Sequence, residues 1–205
     1  GRGHRPSAPF KHGTPPMSLT ALALCSRALL RIGAPPVASL DEGTAEAEVA
    51  ANLYPATRDA LLSAHPWSFA TGQAALPRLS ATPQADFAHA FQLPPGFLRA
   101  LSAGSAGRGR GIPYRIAEGR LHADADAVTL TYVFRPEEAA FPPFFAACLV
   151  ARLAAEFSLP ITESASRAEM LFRLAEQELR AARQIDSQQD TPRAIEGFPL
   201  VDVRG

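Results

Sequence analysis

The sequence predicts an α+β chain that is mainly α: a four-helix bundle with an inserted small antiparallel β element and an extended C-terminal tail. Three observations carry this reading. Apolar residues recur at helical spacing on both sides of the chain's middle. Between about 74 and 136 the period changes to two, the mark of strands with one covered face. Beyond residue 187 both periods stop. With 205 residues, 47% hydrophobic and 20% charged, the chain has the size and composition of one folded domain. The expected divisions are a flexible basic leader at 1–16, a domain at 17–187 and a docking tail at 188–205.

The first helix is expected at about 18–33. Leu19, Leu22, Ala23, Leu29 and Leu30 recur at spacings of three, four and seven. Gly33 stands where a left-handed residue caps a helix, and Pro35-Pro36 forbid continuation. The second helix, about 44–64, starts at a Thr44 N-cap, with Glu46 and Glu48 where acids favour the helix dipole. Its stripe runs through Val49, Leu53, Ala56, Ala60 and Leu61, and Pro55 is expected to kink it near Tyr54. The segment His65-Pro66-Trp67-Ser68-Phe69 ends it.

In the middle, Phe87, His89, Phe91 and Leu93 alternate with smaller or polar residues. Val128, Leu130, Tyr132 and Phe134 alternate with Thr129, Thr131 and Val133, the clearest strand in the chain. Pro94-Pro95-Gly96 is a turn before Phe97–Leu101. Residues 112–116 and 120–122 flank Glu118-Gly119 and read as a hairpin. A β element of about four or five strands is expected, spatially distinct from the bundle.

Helices return after Pro142-Pro143, with Pro143 suited to a first turn. From Phe144 to Phe157 only Arg152 and Glu156 are charged, so the third helix, about 143–159, should be the deepest. Leu159-Pro160 is expected to stop it. The fourth, about 163–186, has an apolar face of Ala168, Leu171, Phe172, Ala175, Leu179, Ala182 and Ile185. Its other face offers Glu169 with Arg173 and Glu176 with Arg180 at i,i+4. The shared stripes predict a core of Leu22, Leu29, Leu53, Leu61, Trp67, Leu149, Leu153, Phe157, Phe172 and Leu179. In the tail, Ile195, Phe198, Leu200 and Val201 are too few for a domain and too many for a solvated end. They are the expected partner-binding residues.

Twenty basic and twenty acidic residues cancel, which argues against a protein built around a broad nucleic-acid footprint. The leader, with Arg2, Arg5 and Lys11 and no acid, has no continuous apolar core of the secretory kind. It reads as an extension upstream of a start at Met17, or as a short basic arm. No run of 18 apolar, uncharged residues suggests a membrane span. Cys25 and Cys148 lie in apolar helical runs without a neighbouring His and read as buried thiols.

Chemistry is sparse. The sequence has no Walker-type phosphate loop, no nucleophile elbow and no Cys or His pairs at zinc spacing. His122-Ala-Asp124-Ala-Asp126 reads as a turn of acids leading into a strand rather than a metal site. His65 reads as a helix-end residue, since no motif places a carboxylate or nucleophile with it. No catalytic residue, metal or cofactor is therefore expected. The conspicuous loop is Gly104–Gly111, which carries Arg108 and Arg110. It reads as a mobile surface loop, or as one that faces DNA phosphates or a partner's acidic rim. Two arginines make a weak site in one monomer and a strong one when repeated around a ring.

Several segments occur in a telling order: residues 32–40 (IGAPPVASL), 54–62 (YPATRDALL), 65–70 (HPWSFA), 93–99 (LPPGFLR), 114–116, 118–121, 130–132, and the two last helices. Together, over about residues 17–187, they resemble the phage head–tail adaptor proteins of the tail tubular protein A type. The resemblance implies a structural virion protein forming a ring, usually of twelve copies, between the portal protein and the next tail component. Genomic DNA would pass through it without sequence specificity. It implies assembly in the host cytoplasm, no cofactor and no turnover. Some members have been suspected of cell-wall hydrolysis, but no acidic pair can be placed in a cleft here. A peptidoglycan hydrolase-like tail enzyme and a small DNA-binding module using Arg108 and Arg110 stand as the alternatives.

Overall fold

A computed structural model describes residues 19–189. The leader and the tail residues Ile195, Phe198, Leu200 and Val201 lie outside the described residues. Four α-helices form one layer: α1 (Ala21–Arg31), α2 (Ala45–Ser63), α3 (Pro143–Thr162) and α4 (Ala165–Asp186). Each start is set by local chemistry. Thr20 Oγ1 accepts the Ala23 N–H at 3.1 Å, and Thr44 Oγ1 accepts that of Ala47 at 3.2 Å. Ser164 does the same for Arg167, and Pro143 occupies the first turn of α3, where its missing N–H costs nothing.

α2 continues through Pro55, which lies inside the helix as its pattern implies. The other proline expectation resolves differently from the sequence reading. α3 does not stop at Leu159 but continues through Pro160 to Thr162. Pro160 lies in the last turn, so it removes a single helical hydrogen bond. Thr162 Oγ1–H donates to the Ser158 carbonyl at 2.7 Å, and Glu163 closes the helix at φ 53°. α3 is long and apolar enough to cross a membrane by length and composition, yet most of it lies buried among the other elements.

Six strands follow the chain as β1 (Thr71–Leu76), β2 (His89–Gln92), β3 (Phe97–Gly104), β4 (Arg115–Ala117), β5 (Arg120–Ala123) and β6 (Val128–Phe134). They make two antiparallel three-stranded sheets, ordered β1-β6-β3 and β2-β5-β4. The Glu118-Gly119 hairpin forms as expected, with both residues at positive φ (53° and 70°), the conformation of a type I′ turn.

These sheets correct the predicted fold class. The chain is α+β, 47% helical and 19% strand, with two small sheets, and not a mainly α four-helix bundle. The β element is also not apart from the helices. Val133 of β6 is fully buried in the helical core, and Leu98 and Leu101 of β3 pack against the same core. On the opposite face of that sheet, Leu76, Ala103, Val128 and Leu130 meet Phe91, Leu121 and Ala123 of the second sheet. The order of layers is therefore helices, first sheet, second sheet. Period-two alternation marks a strand but does not say whether its second face is bare.

Of the expected core residues, Leu29, Leu61, Trp67, Leu149, Leu153 and Phe157 are buried, and Leu22, Leu53 and Leu179 are half-buried against the same core. Phe172 is outside it, with its ring 5.0 Å from the Arg152 guanidinium. Glu169 and Arg173 pair at 3.4 Å as predicted, whereas Glu176 reaches Arg152, not Arg180, at 3.4 Å. α4 is anchored through Ala168, Ala175 and Ala182, alanines at a spacing of seven. Small residues there let α4 lie close to α3, with Leu171 and Leu179 packed against the edge of the core and Met170, Leu174 and Ile185 left on the outer flank. Ile185, expected on the buried face, is accordingly 43% exposed.

A polar latch ties α2 to the segment after β6. Tyr54 O–H donates to Glu138 at 2.9 Å, and Arg58 donates to Glu138 at 3.1 Å and to Asp59 at 2.9 Å. Arg135 completes it by donating to both Asp59 oxygens. Burial pushes both carboxyls up, but the arginine and tyrosine donors, with a backbone contribution at Glu138, outweigh it and hold both below the usual range. A carboxyl lowered on folding stabilises the fold above its unfolded pKa, and that stability is lost as pH falls through the folded value. The melting temperature should therefore drop between about pH 5 and pH 3. Asp59→Asn should lose part of that pH dependence in thermal melts. Parallel profiles for the two proteins would remove Asp59 from the account.

Candidate functional site: an arginine-bearing cleft and an apolar helix flank

His65 does have a carboxylate partner, one the sequence could not reveal. Its Nε2 lies 3.4 Å from Asp186, at the far end of α4, and Asp186 is 4% exposed. Asp186 also accepts the Ser68 backbone N–H at 3.1 Å and the Ser68 hydroxyl at 2.7 Å. Burial lowers the His65 pKa, and Arg183 and Arg99 push the same way against Asp186. The lowered pKa favours the neutral imidazole, which keeps a 3.4 Å polar contact with Asp186. Ser68 donates to the carboxylate, not to the imidazole, so His65 is not placed to activate it as a nucleophile. The cluster fastens the α2–β1 connection to the end of α4.

The remaining titratable candidates are occupied. Asp124 accepts the Ala88 N–H at 2.9 Å, Asp126 accepts from Arg78 at 3.3 Å, and His122 is buried within the β2–β5 pair. Among the described residues, no three of His, Cys, Asp and Glu are placed to hold a metal. Cys25 and Cys148 are buried, and burial pushes both thiols up to about 12, far from a reactive thiolate.

Two surfaces stand out. The first is the Gly104–Gly111 loop, which is pinned to the first sheet rather than loose. The Gly109 carbonyl accepts the hydroxyls of Ser102 at 2.8 Å and Thr131 at 2.9 Å, and Ile112 N–H returns to Ala103 at 3.1 Å. Ala106 and Gly107, both at positive φ, form the tight turn closed by Arg108 N–H to Ser105 at 3.1 Å. Only glycine fits at 104 and 109. A Cβ at 104 would strike the backbone of Arg108 and Arg110, and one at 109 would strike Gln73 and the Thr131 hydroxyl. Arg108 and Arg110 are exposed and line a cleft of about 830 Å³ with Gln73, Ser102 and Thr131.

The second surface is apolar. Met170, Leu174 and Ile185 follow one flank of α4, and Leu30 stands exposed near its start, beside Arg167 and Met170. These side chains are 43–59% exposed. A groove of about 510 Å³ between α1 and α3, floored by Leu19, Phe141 and Val150 with Arg27 and Arg31 at its rim, adds further open apolar surface.

No protein-family model matches this chain, and no curated protein is significantly similar to it.

Proposed function

We propose that this chain is a structural subunit without catalytic turnover, a head–tail adaptor of the phage virion that works as a self-assembled ring. The observation that carries the reading is the apolar flank of Leu30, Met170, Leu174 and Ile185, which a lone subunit leaves in water. Leu30 beside Met170, with Leu174 one turn on, forms the kind of exposed apolar group that suits a subunit contact, and a head-to-tail contact that closes on itself gives a ring. The ordered resemblance over residues 17–187 supplies the rest of the reading: about twelve copies, the portal protein on one side, the next tail component on the other, and genomic DNA passing through. Ile195, Phe198, Leu200 and Val201 serve as anchors for the portal or a sister subunit. Assembly takes place in the host cytoplasm, and no cofactor takes part.

Size-exclusion chromatography with light scattering on the purified full chain tests this. A species of many copies is expected, and Leu174→Glu should shift it to monomer. Leu174 is exposed in the single subunit, so melting of the monomer should move by less than about 0.5 kcal/mol. A wild-type chain that stays monomeric at tens of micromolar, with no portal present, would remove self-assembly from the reading. Wild-type assembly by the variant would place the interface elsewhere.

A further inference from the structure

The geometry points to the cleft of Arg108 and Arg110 as a contact for the phosphodiester backbone of duplex DNA. The proposal deepens the adaptor reading by naming the surface that meets the passing DNA, and it can be tested on its own. Three observations lead to it. Both guanidinium groups are exposed, and among the described residues neither pairs with a carboxylate, whereas Arg58, Arg78, Arg115, Arg135, Arg152 and Arg173 all do. The cleft lining contains no acid at all: Gln73, Ser102, Arg108, Gly109, Arg110, Gly111 and Thr131. An unneutralised positive pair in an acid-free cleft attracts anions.

The third observation is preorganisation. A flexible loop would lose conformational freedom on gripping a phosphate. Here the turn at Ala106-Gly107 and the Ser102 and Thr131 hydroxyls on the Gly109 carbonyl already fix the backbone between the two arginines. Glycines at 104 and 109 let the loop lie against the sheet. Guanidinium forks suit phosphate oxygens, and contacts of this kind position a duplex without reading its bases. Nothing in the cleft is arranged to read a base edge, so the contact is indifferent to sequence. The rest of the chain is not basic: without Arg2, Arg5 and Lys11 it carries a formal charge of −3. Arg27 and Arg31, which also lack a carboxylate partner among the described residues, border an apolar groove; Arg108 and Arg110 border a polar one, and the strength of their attraction in an assembly scales with the number of subunits engaged.

Fluorescence anisotropy with labelled duplex DNA of two unrelated sequences, across a salt titration, tests the proposal on the full chain, with size-exclusion chromatography and light scattering of the same samples. Equal affinity for both sequences is expected. Arg108→Glu with Arg110→Glu should weaken binding at least about tenfold, and Arg108→Ala with Arg110→Ala should reduce the log–log salt slope by about 1.8 per subunit engaged. Arg108→Lys with Arg110→Lys should keep the salt slope, which counts charges, while losing the affinity that the guanidinium forks supply. An unchanged affinity in the double Glu variant overturns the proposal. So does wild-type binding to polyglutamate as tight as to DNA, which would make the cleft a dock for an acidic protein. A ring that forms while the double Glu variant binds DNA normally leaves the adaptor reading standing and removes this one. A monomer that loses DNA binding in that variant does the reverse.

Discussion

Trp67→Ala is expected to lower the free energy of unfolding by about 3–5 kcal/mol. Trp67 is fully buried, and its indole N–H donates to the Leu61 carbonyl at 3.0 Å. Its ring meets Phe145 edge-on at 5.1 Å between centroids and lies 4.8 Å from His65. Around it Phe69, Phe141, Phe144 and Phe145 form a continuous aromatic group where α2 ends, β1 begins and α3 starts. Truncation removes the largest buried side chain from a site whose walls belong to three elements, so collapse around the void is limited. Urea denaturation followed by far-UV circular dichroism measures it, since Trp67 is the sole tryptophan and its fluorescence is lost with the mutation. A wild-type midpoint would take Trp67 out of the core.

Phe91→Ala should cost a similar amount, about 3–5 kcal/mol, for a different reason. Phe91 is fully buried on β2 and belongs to the core shared by the two sheets. The first sheet in turn shares Val133 with the helices. A void beside Phe91 should therefore move the whole protein's unfolding as one transition, with helical and tertiary signals coincident. If the helices melted at the wild-type midpoint while another signal was lost earlier, the second sheet would be an independent unit and the three-layer packing would not be cooperative.

The sequence revealed those elements whose reasons are local. The Thr44 cap, the Glu118-Gly119 turn, the strand from Val128 to Phe134 and the apolarity of α3 all follow from residues within a few positions of one another. What escaped is what long-range pairing decides. β1, with the sequence TGQAAL, has no run of β-branched residues and exists because it pairs with β6, Gln73 opposite Thr131. The second buried face of β6 rests on Val133, which the alternation puts on the face opposite Val128, Leu130, Tyr132 and Phe134. Asp186 looked like the end of a helix and is a buried acceptor for Ser68. The alanines at 168, 175 and 182 sit in a wider apolar stripe of the sequence that also takes in Phe172 and Ile185, so the stripe does not single out the buried face. Of the candidate surfaces, the two loop arginines could be found from sequence, but the hydroxyls of Ser102 and Thr131 that hold their loop could not. The apolar flank of α4 is hidden in the sequence because Ile185 shares the stripe of the buried alanines while Met170 and Leu174 fall outside it.

The central place of α3 has a consequence for synthesis. α1 and α2 pack mainly on α3, and α3 begins only at Pro143, whereas α2 ends at Ser63. About 80 residues must be translated between them, roughly 4–16 s at ordinary elongation rates. Through that interval Leu24, Leu29, Leu61 and Leu62, all buried in the finished protein, have no helix to cover them. The first sheet cannot shelter them either, because its middle strand, β6, is made just before α3. The nascent chain thus carries an amphipathic pair with bare apolar faces for seconds, a state that invites chaperone capture or premature contact between neighbouring chains on a polysome.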